Sequence, residues 1–323
     1  MLSTRTRERI RSSTPWWAKC AVKLALVPVP VGYGVLRALS LARHGGMTRP
    51  VFAYDIFRLH FGGADFHHKS GGFTVLELGP GDSLAMALVA RAHGAASTCH
   101  VDVGHFATGD VGVYRAAAAF LAERGLVPPD LSAAGSLADV MAACSARYET
   151  RGLDSLRGLP DASFDFVFSN SVLQCVAPAE LPELMKELRR LVHPQGVCVH
   201  SIDLRDMMGH SLNHLRFTER VWDSAWFRKA GFHTNRLRYP DWLDLFRRAG
   251  FDAEASELNR WEALPIPRES IAEPYRDVAE ADLLVATVRM VLRPVPGPQE
   301  TPADGANQWR GSNGAGATLA MGA

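Results

Sequence analysis

Glu77, Gly79 and Gly81 stand within five residues of one another at the end of an apolar run, in VLELGPGDS over residues 75–83. Glycines that close let a strand-to-helix turn fold tightly and let a ligand approach the backbone, faced by amides at the start of the next helix. A carboxylate just before such a turn would repel a pyrophosphate yet hold a cationic or hydrogen-bond-donating ligand. The nicotinamide dinucleotide fingerprint, G-x-G-x-x-G, needs a third glycine, and counting from Gly79 places Leu84 there. A second carboxylate, Asp102 in CHVDVG, follows about twenty residues later, where it can accept both hydroxyl hydrogen bonds of a ribose.

A second set of reactive side chains lies after residue 203, in DLRDMMGHSLNHLRFTERVWDSAWFRKAGFHTNRLRYPDW. His210 and His214, four apart, would share one face if the segment were helical, and Asp203 and Asp206 lie close by in sequence. That set could bind a divalent metal; the expectation here is a pocket without one. Removal of a proton from a nucleophile falls most economically to His210 or His214, with Asp203 as the alternative base. Asn235, Arg236 and Arg238 in NRLRY suit hydroxyls, a carboxylate or a phosphate, or else form a solvated charged face. His200, inside the apolar run VCVHSID, reads as a core histidine.

The elements that must position these groups are legible as an alternation. Strand-like runs at FTVLEL, TCHVDV, ARYETR, FDFVFS and VCVHSID alternate with helical segments such as SLAMALVARAHG and AELPELMKELRRLV. The pattern predicts a parallel sheet with helices on both faces. It breaks after Asp203 and resumes with the helix PDWLDLFRRAG and two strand runs, FDAEASEL and DLLVATVRMVLRP, expected as an antiparallel closing pair without a helix between them. The chain thus divides into an N-terminal helical arm or lid over 1–72 and a domain over 73–293 with a substrate insert at about 204–239. The tail over 294–323, rich in Gly and Pro, is expected to be disordered. Lys19, Lys23, Pro28 and Pro30 interrupt the apolar arm, which argues against a spanning helix. Trp16, Trp17 and the neighbouring arginines leave a peripheral membrane contact open.

With 35 basic and 34 acidic residues the net charge is +1, so no overall field draws nucleic acid or an anionic membrane. Five scattered cysteines without a C-x-x-C pair fit a reduced, cytoplasmic setting.

VLELGPGDS resembles the first motif of the class I S-adenosylmethionine-dependent methyltransferases, which run acidic-x-Gly-x-Gly at the end of the first strand. Ser83 occupies that motif's third small position. Asp102 matches the ribose acid of that family, and Asp154 and Ser155 in GLDSLRGLPDASFDFVFSNSV match an acid and neighbour that contact adenine. Leu173, Gln174 and Cys175 stand where the family often has a histidine, and Pro194, Gln195 and Gly196 where it has a Pro-Gly-Gly turn. The resemblance spans about residues 73–203. It implies a Rossmann-like, seven-stranded, mostly parallel α/β sheet and S-adenosylmethionine as cofactor. Glu77 would serve the methionine end, Gly79 and Gly81 would make room for the body of the cofactor, and Asn170 would join them at the fourth strand. The arm, ARHGGM and FRKAGFHTNRLR also resemble a group of bacterial type 11-like methyltransferases associated with surface glycans or secondary metabolites.

The fourth strand ends FSNSV, without the Asn/Asp-Pro-Pro-aromatic arrangement of amino-methylating nucleic-acid enzymes. The expected reaction is methyl transfer to a hydroxyl of a small-molecule or glycan-type acceptor, with Asn235 and Arg236 binding it. The alternatives are N- or C-methylation of a metabolite or lipid-linked acceptor, a nicotinamide-dependent oxidoreductase, and a non-catalytic cofactor-binding protein.

Overall fold

The computed structural model describes residues 14–28, 46–64 and 72–296. The arginine-rich start over 1–13, residues 29–45 and 65–71 of the arm, and the tail from residue 297 lie outside the described residues.

Seven strands form one sheet: β1 (Phe73–Leu78), β2 (Ala95–Val101), β3 (Ala146–Glu149), β4 (Phe164–Asn170), β5 (Val192–Asp203), β6 (Phe251–Arg260) and β7 (Val285–Pro294). Their spatial order is β3-β2-β1-β4-β5-β7-β6. The first five run parallel, and β7 pairs antiparallel with both β5 and β6. This is the Rossmann-like sheet with an antiparallel closing pair that the alternation implies. Strand order reverses between β1 and β4, where the carboxyl ends of an open sheet part and leave a crevice.

The central strands are apolar on both sides because both faces are covered. On one face Leu76, Val167, Cys198 and Met290 pack with Leu156, Leu184, Leu188, Leu245 and Phe246 of the helices Leu153–Arg157, Leu181–Leu191 and Tyr239–Arg248. On the other, Val75, Phe166, Phe168 and Val199 meet Phe57, Leu88, Tyr114 and Val140 of the helices Pro50–Gly62, Ala85–Ala92, Val111–Ala122 and Leu137–Ala143. The buried leucines and methionine of Leu181–Leu191 recur at three- and four-residue intervals, the spacing of one helical face. Ser136 and Asp139 form a reciprocal cap that starts Leu137–Ala143.

Two expectations need correction. Pro50–Gly62, assigned to the arm, belongs to the core, with Ala53, Phe57 and His60 buried. The link between β6 and β7 carries an α-helical turn, Glu280–Leu283, preceded by 3₁₀ turns at Arg268–Ser270 and Tyr275–Asp277. The insert holds the short helices Glu219–Trp222 and Ala225–Lys229 after a turn at Asn213–Arg216.

The first helix, Trp16–Leu26, docks on this insert. Trp16, Cys20 and Leu24 join Met208, Trp222, Phe227 and Phe232 in a separate small core, and the Lys19 ammonium donates to the Met208 carbonyl at 3.0 Å. Among the described residues no helix is long and apolar enough to cross a membrane.

Candidate functional site

At the end of β1 the chain turns through Gly79 at φ +64° and Gly81 at φ +72°, backbone that L side chains rarely adopt. The Gly79 amide donates to the Val101 carbonyl at 2.8 Å, and the Gly81 amide donates to Asp102 Oδ2 at 3.2 Å. A Cβ on Gly79 would lie 2.5 Å from Val172 Cγ2, so the turn is wedged between the ends of β2 and β4. The loop after β2 is tied down beside it: Thr108 donates its amide to Asp82 O at 3.0 Å and accepts from the Tyr114 hydroxyl through its carbonyl at 2.7 Å.

Asp102, half-buried, accepts from the Val103 amide at 2.8 Å through Oδ1 while Oδ2 takes the Gly81 amide. A carboxylate oxygen can accept more than one hydrogen bond, the property a ribose diol would call on. Val103 next to it is 70% exposed, and its Cγ1 would lie 3.1 Å from a Cβ on Gly152. The Gly152 amide donates to the Asp102 carbonyl at 2.8 Å. A carboxylate therefore stands beside a small apolar ledge, the surroundings a ribose and a flat base require.

Asp154, on the helix after Gly152, keeps its side chain 69% exposed and pairs with Arg157 at 2.9 Å. Ser155 differs from expectation: it is buried and its hydroxyl accepts the Arg151 amide at 3.0 Å, a bond that shapes the turn. Asn170 ends β4 half-buried, and its side-chain amide makes no hydrogen bond among the described residues; Ser171 follows at φ +58°.

Glu77 is 3% exposed, and its Oε2 lies 2.6 Å from His100 Nδ1. Burial pushes its acid constant up; the His100 hydrogen bond opposes that and Asp102 adds to it.

On the other side of the crevice the sequence-assigned residues are used differently. Asp203 forms a two-point pair with Arg205, at 2.8 and 2.9 Å. Asp206 is buried and accepts from the amides of Met208, Gly209, Ser211 and Asn213 and from the Asn213 side chain, so residues 206–213 wrap around one carboxylate. His210 and His214 consequently share no helix face. His210 is exposed at φ +53°. His214 is buried, its Nδ1 has no partner among the described residues, and burial together with Arg238 and Arg236 holds it neutral, far below the usual histidine range. It is a poor base. His200 is a core histidine, its Nδ1 2.8 Å from Ser169 Oγ and its constant lowered to about 3 by burial.

Asn235 and Arg236 are buried, where an open acceptor site would need them exposed. The Asn235 amide donates to Leu173 O at 2.8 Å and Val176 O at 3.1 Å, latching the insert to the loop after β4. Arg236, at φ +62°, donates to Phe217 O at 2.8 Å and lies over the Tyr275 ring at 4.7 Å. Arg238 donates through its two terminal nitrogens to the Leu204 and Val285 carbonyls at 2.8 and 2.6 Å and more weakly to Asp282 and Leu283, while its Nε finds no partner among the described residues.

Four functional candidates escaped the sequence reading. Val103 had a signal, an apolar residue directly after the ribose acid. His100 had a weaker one, an ionisable residue on an inward position of a buried strand. Val172 and His233 had none. His233 Nε2 lies 2.8 Å from Asp223 Oδ1, and the imidazole stacks on Trp222 at 5.5 Å. Burial raises the Asp223 constant, but the His233 hydrogen bond and Arg236 outweigh it and keep the carboxylate charged below its ordinary value. Among the described residues no group of three or more His, Cys, Asp or Glu could hold a metal ion.

The donor and acceptor set fits a sulfonium nucleoside with an amino-acid tail. It offers a carboxylate for a ribose, an apolar ledge for a base, a glycine turn that a Cβ would fill, and a buried carboxylate at the strand end.

Residues 45–261 match the sequence family described as "Methyltransferase domain". No curated protein matches the chain. Solved structures similar to it include the YcgJ protein of Bacillus subtilis, at 14% identity over 76% of this chain and 100% of that one, with TM-score 0.41. An arsenic(III) S-adenosylmethionine methyltransferase of Chlamydomonas reinhardtii matches at 18% identity over 73% and 68% of the two chains, with TM-score 0.41. An S-adenosylmethionine-dependent methyltransferase of Mesorhizobium loti matches at 19% identity over 69% and 91%, with TM-score 0.39.

Proposed function

The chain belongs to the methyltransferase-domain family and is an S-adenosylmethionine-dependent methyltransferase, and we propose that it methylates a hydroxyl of a small-molecule or glycan-type acceptor. The observation that carries the hydroxyl reading is the His233–Asp223 pair in the insert. Bound S-adenosylmethionine supplies a methyl group already activated on sulfur. What remains for the protein is alignment and, for a hydroxyl, removal of its proton. A neutral amine attacks with its own lone pair and has less need of a base. His233, oriented by a carboxylate that stays charged, is built to take that proton and to have its new positive charge balanced. It replaces His210, His214 and Asp203 as the base.

On the cofactor side Asp102 holds the ribose, Val103 and Asp154 border the adenine, Gly79 and Gly81 admit the body, and Glu77 and Asn170 face the methionine end. Asn235 and Arg236 shape the acceptor side through backbone latches. The helix Trp16–Leu26 caps this side as a lid. Lys19 and Lys23 donate inward, to Met208 O and Gly231 O, while Trp17 is 61% exposed and Val22 is also exposed, which supports a peripheral lipid contact for lipid-linked acceptors.

Calorimetric titration with S-adenosylhomocysteine, with NAD as control, tests the cofactor; binding of the former alone is expected. Transfer from a labelled methyl donor to a panel of hydroxyl, amine and carbon acceptors tests the reaction. Transfer to hydroxyls that is lost in His233→Ala, with cofactor affinity retained, is the expected result. Transfer to amines or carbon alone would sink the hydroxyl reading.

A further inference from the structure

Glu77 on β1 and His100 on β2 face one another in register, on the sheet side covered by the helices Pro50–Gly62 and Ala85–Ala92. Their contact is 2.6 Å, and His100 Nε2 lies 2.9 Å from Thr98 Oγ1, two residues earlier on the same face of β2. All three side chains are buried. The row uses both imidazole nitrogens and one carboxylate oxygen, and leaves Glu77 Oε1 without a hydrogen bond among the described residues. On the opposite flank the neighbour of Glu77 is Phe168 of β4, which offers no polar group.

Burial alone would favour a protonated, uncharged Glu77, of little use to a cation. A ring N–H donated to Oε2 favours the carboxylate and fixes its plane. Among the described residues the other ionisable group bearing on Glu77 is Asp102, whose charge works against the carboxylate. His100 is thus the counterweight among the described residues, and Glu77 lies just before the glycine turn.

We infer that His100 is a positioning residue for the cofactor: it holds Glu77 through Oε2 so that Oε1 receives the ammonium of the cofactor's amino-acid tail, with Thr98 supporting the imidazole from behind. This rests on the cofactor reading above and extends it to a pair of residues that never meet the ligand themselves. The general requirement it meets is that a buried charge be hydrogen-bonded before a ligand arrives.

The test compares two probes by calorimetry: S-adenosylhomocysteine, which carries the amino-acid tail, and 5′-methylthioadenosine, which lacks it. In His100→Leu the first should weaken by about tenfold or more, the scale of one hydrogen bond to a charged group, while the second is unchanged. Thr98→Val, which keeps shape and removes only the supporting hydroxyl, should show the same selective loss at about threefold, and it carries the test if His100→Leu fails to fold. In a Glu77→Gln background, His100→Leu should no longer change the ratio of the two affinities. Equal weakening of both probes, or no change in either, would show that the row is only structural and overturn the inference. If the unmodified protein bound neither probe, the cofactor reading itself would fall, and this inference with it.

Discussion

On the β1–β3 side of the crevice, carboxylates stand at the strand ends beside the glycine turn. Glu77 keeps one oxygen without a hydrogen bond among the described residues, and Asp102 is half-buried and takes the Gly81 and Val103 amides. On the β4–β5 side and in the insert, an even more polar sequence has turned inward. Asp206 is enclosed by five donors, Arg238 is bound to backbone carbonyls, and His60, His200 and His214 are buried and neutral. The difference teaches that abundance of His, Arg and Asn marks a substrate region poorly, because irregular backbone needs those same groups to satisfy its own amides and carbonyls.

The largest expected effect comes from acid. Burial lowers the constants of His60 to about 4 and His200 to about 3, and His214 is held lower than usual as well. Their folded-state constants lie below the unfolded value, so their contribution is complete above about pH 6.5 and is lost as pH falls, because only the unfolded chain takes up the protons. His60 and His200 should each cost about 2 kcal/mol by pH 5, with His214 acting in the same direction, measured by denaturant unfolding at pH 7 and 5, and His200→Phe should recover about that much at pH 5. A pH-independent stability would break the comparison at its inward-facing half.

Asp102→Ala should weaken S-adenosylhomocysteine binding by about 2 to 4 kcal/mol, more than the stability it costs by releasing the Gly81 and Val103 amides, about 1 kcal/mol. Arg238→Met should do the reverse, lowering stability by about 2 kcal/mol while leaving cofactor affinity within about twofold, because its partners are carbonyls of the strand ends. A cofactor defect in Arg238→Met without a stability defect would contradict the division drawn here. The smallest effect is expected at Asp154→Ala: affinity for S-adenosylhomocysteine down by about 1 kcal/mol or less and stability within about 0.5 kcal/mol, since its pair with Arg157 is exposed.

This division also explains what the sequence could reveal. Strands, helices and the glycine turn follow from periodicity and from residues whose backbone demands are local, so β1 through β5, Gly79, Gly81 and Asp102 could be read directly. The closing pair was legible from its β-rich run, but its helical turn at Glu280–Leu283 was not. In the insert the fate of each side chain depends on partners distant in sequence. Asn235 is bonded to Leu173 and Val176, and Arg238 to Leu204 and Val285, contacts no local spacing encodes. The Glu77–His100 contact belongs to the same class, since only the register of β1 against β2 creates it.

The helix Trp16–Leu26 has a consequence in time. Its Lys19 meets Met208, 189 residues further along the chain, and the face formed by Trp16, Cys20 and Leu24 packs against that late segment. At a synthesis rate of about 5 to 20 residues per second, this apolar face emerges from the ribosome about 10 to 40 seconds before its partner exists. A helix made early is therefore among the last to dock, and a nascent chain arrested before residue 208 should present it to chaperones.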